Sequence, residues 1–146
     1  MSGSLKSGKP RTPFFTCNAS SSRGSFFSER IRARLRLDFA RANMLDRTIT
    51  SGGPDARIGI ISTGKSYLDT RAAMDELGID EVKANQLGIR LYKVAMTWPL
   101  EARGIAKFAE GLDLIIVVEE KRSLVETQVK EQLFDTLNRP LVIGKR

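Results

Sequence analysis

At 146 residues, with 41% hydrophobic and 28% charged side chains, the chain has the size and make-up of one soluble globular domain plus an appendage. Its +7 charge is local: residues 1–36 hold eight bases and one acid, and the other 110 hold sixteen of each, so the globular part implies no polyanionic partner. The absence of histidine excludes Ser-His-Asp, Cys-His and imidazole general-base chemistry, and a lone Cys17 cannot by itself close a disulfide or hold an iron–sulfur cluster or structural zinc.

Residues 1–28 are Ser-, Gly- and Arg-rich, with Phe14-Phe15 and Phe26-Phe27 as their apolar spots and no strand or helix period. A cleaved presequence, a nucleic-acid arm and an inert unstructured leader all fit, the last being preferred. From Ser28, a plausible N-cap, to Leu45 the pattern is helical: Ile31, Leu35 and Phe39 fall at i, i+4 and i+8, with Leu37, Ala40 and Met44 beside them. The alternating arginines form the opposite face. It is expected to be solvated, with an acidic membrane surface as the alternative partner. Ser51-Gly52-Gly53-Pro54 reads as a linker. The organisation expected is a basic leader with a helical end over 1–36, a helix end and linker over 37–54, and an α/β domain over 55–146.

Ile58 to Ser62 predicts a buried strand. The following helix is expected to be capped by Ser66, with Asp69 as its capping-box partner. It should bury Tyr67, Leu68, Ala72, Met74 and Leu77, and end at Gly78. A short helix over Asp80 to Leu87 and a strand over Ile89 to Met96 come next. Pro99 then opens a helix with Leu100, Ile105 and Phe108 on its apolar side, stopped by Gly111. Leu114 to Val118, the longest apolar run and far short of the ~20 residues of a membrane span, is a strand buried on both faces. Val125, Val129 and Leu133 stripe a last helix, which carries a Glu126–Lys130 pair, and Leu141 to Ile143 is a final strand. That strand falls three residues before the last one, as if cut within something larger. Alternating strands and helices predict an α/β fold with a mostly parallel sheet covered on both sides.

Gly59 to Ser66 (GIISTGKS) matches the phosphate-binding pattern G-x-x-x-x-G-K-[ST] letter for letter. Read as a P-loop, however, it would leave no strand ahead of the loop and would place Ile60 and Ile61 in solvent. The preferred reading keeps Gly59 in the strand and makes Thr63 to Ser66 the turn. Gly64, Lys65 and Ser66 at a helix N-terminus then either hold an anion or neighbouring carboxylate, or only begin the helix. Glu119 and Glu120, followed by Lys121 and Arg122, lie on the same carboxyl edge of the sheet. They read as a proton-sharing pair or, preferably, as a self-neutralising surface cluster. Trp98 is either a core plug or an interface anchor.

The run RIGIISTGKSYLDTRAAMDELGID from Arg57, followed by KVAMTWPLE and VVEEKR in that order, resembles indolepyruvate ferredoxin oxidoreductases. The likeness covers about Asp38 to Arg146, with FARANMLDR at its upstream edge, and excludes residues 1–36. It implies the three-layer α/β/α domain akin to the transketolase C-terminal domain, which packs beside the catalytic domains of thiamine-diphosphate enzymes that oxidatively decarboxylate aryl 2-oxoacids to acyl-CoA. The family's GDG…Asn thiamine motif, its activating glutamate and its cysteine clusters are not matched. The resemblance therefore implies an accessory domain with no catalytic residue, no metal and no cofactor of its own. Thiamine diphosphate, Mg²⁺ and iron–sulfur clusters would sit elsewhere in the full enzyme. Gly64, Lys65, Ser66, Trp98, Glu119 and Glu120 become an edge facing an anion or a partner domain. The expected partners are other domains or subunits of the oxidoreductase and a second copy of the chain, with neither membrane nor nucleic acid, in the cytoplasm. The alternative is a small P-loop nucleotide-binding protein.

Overall fold

The computed structural model describes residues 22–145, with side chains from Ser28; Cys17, Phe14-Phe15 and the rest of residues 1–21, the first part of the expected leader, lie outside them. A five-stranded sheet runs in the order β1-β3-β2-β4-β5: β1 (Arg47–Thr50), β2 (Ile58–Thr63), β3 (Ile89–Val94), β4 (Leu114–Val118) and β5 (Leu141–Ile143). β2, β3, β4 and β5 are parallel, and β1 pairs antiparallel with β3 on the edge.

Side-chain alternation along the strands builds one core on each face. Ile61, Tyr92, Val94, Ile115 and Val117 pack against α4 (Ala102–Ala109) and α5 (Leu124–Gln132). Ile60 and Leu91 face Met74 of α2 (Gly64–Glu76) and Ala84 of α3 (Glu81–Leu87). This is the three-layer α/β/α arrangement that the alternation predicted. Gly59 is part of β2, paired with Arg90 and Ile115. A Cβ there would stand 2.5 Å from Leu112 and 2.8 Å from Phe108, so glycine is required by the close approach of α4 and the turn after it.

Five local expectations are corrected. β1 occupies part of the expected linker, so the sheet begins upstream of residue 55; Thr50 Oγ1 there accepts from Leu91 N at 3.0 Å where the strand register shifts. α1 (Ser22–Ala42) starts before Ser28, because the glycine and serines ahead of it weaken a helix without forbidding it. α2 starts at Gly64 with Thr63 as its N-cap and no side-chain cap bond. Ser66 lies inside the first turn, and Asp69 pairs with Lys65 instead. Leu68, Ala72 and Leu77 of α2 are exposed; Met74 is its buried anchor, and Gly78 completes the end, its N–H reaching Asp75 O while Ile79 N–H reaches Met74 O. α4 is opened by Glu101 rather than Pro99: its carboxylate accepts from Arg103 N at 3.2 Å and Gly104 N at 2.6 Å. Pro99 itself follows Trp98 through a cis peptide bond.

Candidate functional site

The connections place the site. From β2 the chain passes through α2 and α3 to β3 on one side, then returns through α4 to β4 on the other side of β2. The direction of winding reverses between β2 and β4, and the space outside their carboxyl ends is the usual ligand crevice of a doubly wound sheet. A cleft of about 380 Å³ opens at that point, lined by Gly64, Lys65 and Ser66 on one wall and Glu119, Glu120 and Arg122 on the other. Five of the six residues singled out from sequence therefore meet. Trp98 is not among the lining residues, although its neighbour Thr97 is.

The chemistry of the cleft is largely used up by the fold. Glu119, expected in a surface cluster or a proton-sharing pair, is buried and accepts three backbone amides at the start of α5: Leu124 N at 3.1 Å, Val125 N at 3.0 Å and Glu126 N at 3.1 Å. A carboxylate on those amides satisfies the leading N–H groups of the helix and complements its positive end. Glu120 is exposed, and its carbonyl and that of Lys121 accept from the Lys145 ammonium. Lys65 is exposed and reaches Asp69 at 2.9 Å; that hydrogen bond and charge, with a smaller contribution from Glu120, hold its ammonium above the usual lysine range. Gly64 adopts φ +52 with open space where a Cβ would be, so the backbone conformation rather than crowding selects glycine.

The eight letters of the phosphate motif thus run along β2 and into α2, and nothing supports a P-loop. Ile60, Ile61 and Ser62 are sheet residues rather than a phosphate cradle, and the lysine is paired to its own helix.

Trp98 is 64% exposed, which removes the core-plug reading. Its loop is fixed from behind by α5. Gln128 Oε1 accepts from Leu100 N at 2.9 Å, Gln128 Nε2 donates to Thr97 O at 2.9 Å, and Gln132 Nε2 donates to Leu100 O at 3.0 Å. Those two glutamines were not singled out from sequence. The signal was their i, i+4 spacing beside the Val125–Val129–Leu133 stripe.

A second cleft, of about 460 Å³, lies between β1 and α4 and was also missed. Its Arg90 is engaged with the carbonyls of Ser51, Phe108 and Glu110, and burial, followed by the charges of Asp46 and Glu101, pushes the Tyr92 phenol well above its ordinary range.

Residues 48–146 match the family model described as the indolepyruvate oxidoreductase domain. Indolepyruvate oxidoreductase subunit IorA of Pyrococcus abyssi is 38% identical over 84 residues, 58% of this chain and 12% of that protein. The corresponding subunit of Thermococcus kodakarensis is 35% identical over 94 residues, 64% of this chain and 13% of that protein. The chain thus spans about an eighth of the length of these curated relatives. A 2-oxoglutarate:ferredoxin oxidoreductase from Magnetococcus marinus, solved with 2-oxoglutarate, coenzyme A and succinyl-CoA bound, shares the fold at TM-score 0.52 and 17% identity, over 85% of this chain and 21% of that one. The chain belongs to the indolepyruvate oxidoreductase domain family.

Proposed function

We propose that the chain acts as an accessory, non-catalytic α/β domain within a 2-oxoacid:ferredoxin oxidoreductase assembly, one that oxidatively decarboxylates aryl 2-oxoacids such as indolepyruvate in the cytoplasm. Family membership supports the assembly, and the state of the crevice supports the accessory role. Glu119 is held by three amides and Lys65 by Asp69, and among the described residues no three His, Cys, Asp or Glu side chains group to hold a metal. Among the described residues this donor set does not fit an iron–sulfur cluster or a magnesium-bound diphosphate, and the reading assigns those groups to other domains or subunits.

The single observation that carries the reading is Trp98. A large aromatic ring held out in water by hydrogen bonds behind it, at the ligand-facing edge of the sheet, is the kind of residue that anchors an interface. Gly64, Lys65, Ser66 and Glu120 lie on the same edge and form the rim around that contact. The partner expected there is a thiamine-binding domain of the assembly, with a second copy of this chain as the other occupant.

The test is calorimetry followed by reconstitution. Titration with Mg-thiamine diphosphate, and separately with Mg-ATP, is expected to give no heat. Micromolar ATP binding that Lys65→Ala abolishes would restore the P-loop reading. Reconstitution with a thiamine-binding subunit of the family should be weakened at least about tenfold by Trp98→Ala. Unchanged association would move the interface elsewhere.

A further inference from the structure

The apolar stripe of α1 points the wrong way for a core helix. Ile31, Leu35 and Phe39, which the sequence pattern assigns to the buried face, are 46%, 62% and 62% exposed. The domain instead takes the opposite side, which was expected to be arginine-lined and solvated, through the buried Ala40 and the half-buried Ala33 and Leu37. At 3.6 residues per turn the exposed trio covers an arc of about 80°. Arg32 and Arg36 border it on one side, and Arg30, Arg34 and Arg41 on the other. Asp38, the acid nearest the stripe, is paired with Arg41 at 3.1 Å. Arg41 also reaches Glu101 at 2.6 Å and fastens the helix to the domain without covering the stripe.

The net charge lies in the N-terminal part of the sequence. Residues 1–45 carry nine bases and two acids, whereas the remaining 101 carry fifteen of each. We infer that α1 is a docking face for an anionic lipid surface. Ile31, Leu35 and Phe39 enter the headgroup boundary, and Arg32 and Arg36 on one side and Arg30 and Arg34 on the other reach lipid phosphates. A narrow apolar stripe between two cationic borders is the pattern of a helix lying in a membrane interface. Because the stripe faces directly away from the domain, the helix lies flat on a plane without detaching from Glu101. A second copy of the same face would bring arginine borders against each other, so charge disfavours self-pairing. No described helix is long and apolar enough to cross a membrane, and the contact is peripheral.

Sedimentation of the purified full chain with phosphatidylcholine vesicles, with and without phosphatidylglycerol, tests this. Binding to the anionic vesicles is expected to exceed binding to neutral ones by at least about tenfold and to weaken as salt rises. Leu35→Glu with Phe39→Glu, both on exposed positions and therefore compatible with folding, should lower it by about a hundredfold or more. Arg32→Gln with Arg34→Gln should lower it by about tenfold or more while leaving the circular dichroism spectrum unchanged. Absent or equal binding to both vesicle types would overturn the proposal. So would vesicle binding that survives Leu35→Glu/Phe39→Glu, which is adsorption by charge alone. A dimer on gel filtration that those substitutions dissociate would assign the face to a second copy. Salt-dependent duplex DNA binding without vesicle binding would assign it to nucleic acid.

Discussion

Arg41 and Glu101, sixty residues apart, meet at 2.6 Å, and the same carboxylate caps α4 through Arg103 N and Gly104 N. One side chain thus starts a helix of the α/β domain and holds the arginine-rich α1 against it. Removing Arg41 deletes the tether and leaves the cap, whereas removing Glu101 deletes both. Arg41→Ala is expected to lower stability, and Glu101→Ala to lower it further by the worth of the cap, about 1 kcal/mol. A double-mutant cycle by urea unfolding should return a favourable coupling between the two. A coupling near zero would mean that the pair contributes no stability.

Glu119 is the clearest case of a motif residue with a structural duty. Its carboxylate meets the three leading amides of α5, and Ser123, at the N-cap position, makes no side-chain cap bond. Glu119→Ala leaves buried donors without a partner and should destabilise the domain by about 2–3 kcal/mol in urea unfolding. Glu120→Ala, exposed and engaged through its backbone carbonyl with only a small charge effect on Lys65, should lie within about 0.5 kcal/mol of the parent. Equal costs for the two would contradict this division of labour.

What the sequence made legible follows from how local each signal is. β2, β3 and β4 are apolar runs whose buried alternation is written in the residues themselves, and the Gly78 helix stop rests on a backbone angle that glycine adopts freely. β1 escaped because RTIT is a four-residue edge strand with two exposed positions, and its place is decided by β3, forty residues away. The Glu119 cap escaped because its amides lie five to seven residues on, across a loop outside the usual capping spacing. For α1 the period located an apolar stripe correctly but could not say which side faced inward. The side that faces the domain is the one carrying the buried Ala40, and the Arg41–Glu101 pair holds it there. The exposure of Trp98 was not legible because it depends on Gln128 and Gln132 holding the loop from a different element.

Gly59 gives a direct test of the strand reading of the phosphate motif. In β2 its missing side chain makes room for Leu112 and Phe108, both buried in the main core. Gly59→Ala forces a Cβ to within 2.5 Å of Leu112, and such overpacking should cost about 1–3 kcal/mol. In a flexible phosphate loop the same substitution would leave unfolding unchanged and remove nucleotide binding. Thermal unfolding with and without Mg-ATP separates the two. A lower Tm with no nucleotide effect is the expected result.

Two buried carboxylates set the acid limit of the fold. At Glu101 burial pushes the carboxyl up, but the Arg41 hydrogen bond, the Gly104 and Arg103 amides and the Arg41 charge together hold it below its ordinary 4.5. At Glu126 the Lys130 hydrogen bond at 2.6 Å leads, burial opposes it, and the Lys145 amide at 3.0 Å, the Lys130 charge and Ser123 add to the lowering. A depressed folded value means that the unfolded chain binds protons first as pH falls. The stabilisation is therefore complete above the unfolded value near 4.5 and is lost as pH falls through the lower folded values. Unfolding free energy from urea titrations should be flat from neutral pH to about 5.5 and decline below that. Glu126→Gln, which keeps the shape but removes the charge, should lower stability at neutral pH and make the acid decline shallower. If the decline were instead identical in Glu126→Gln, Glu126 would carry none of the acid sensitivity and the Arg41–Glu101 tether would account for it alone. The Glu101→Gln profile, flat across the same range, would then confirm that assignment.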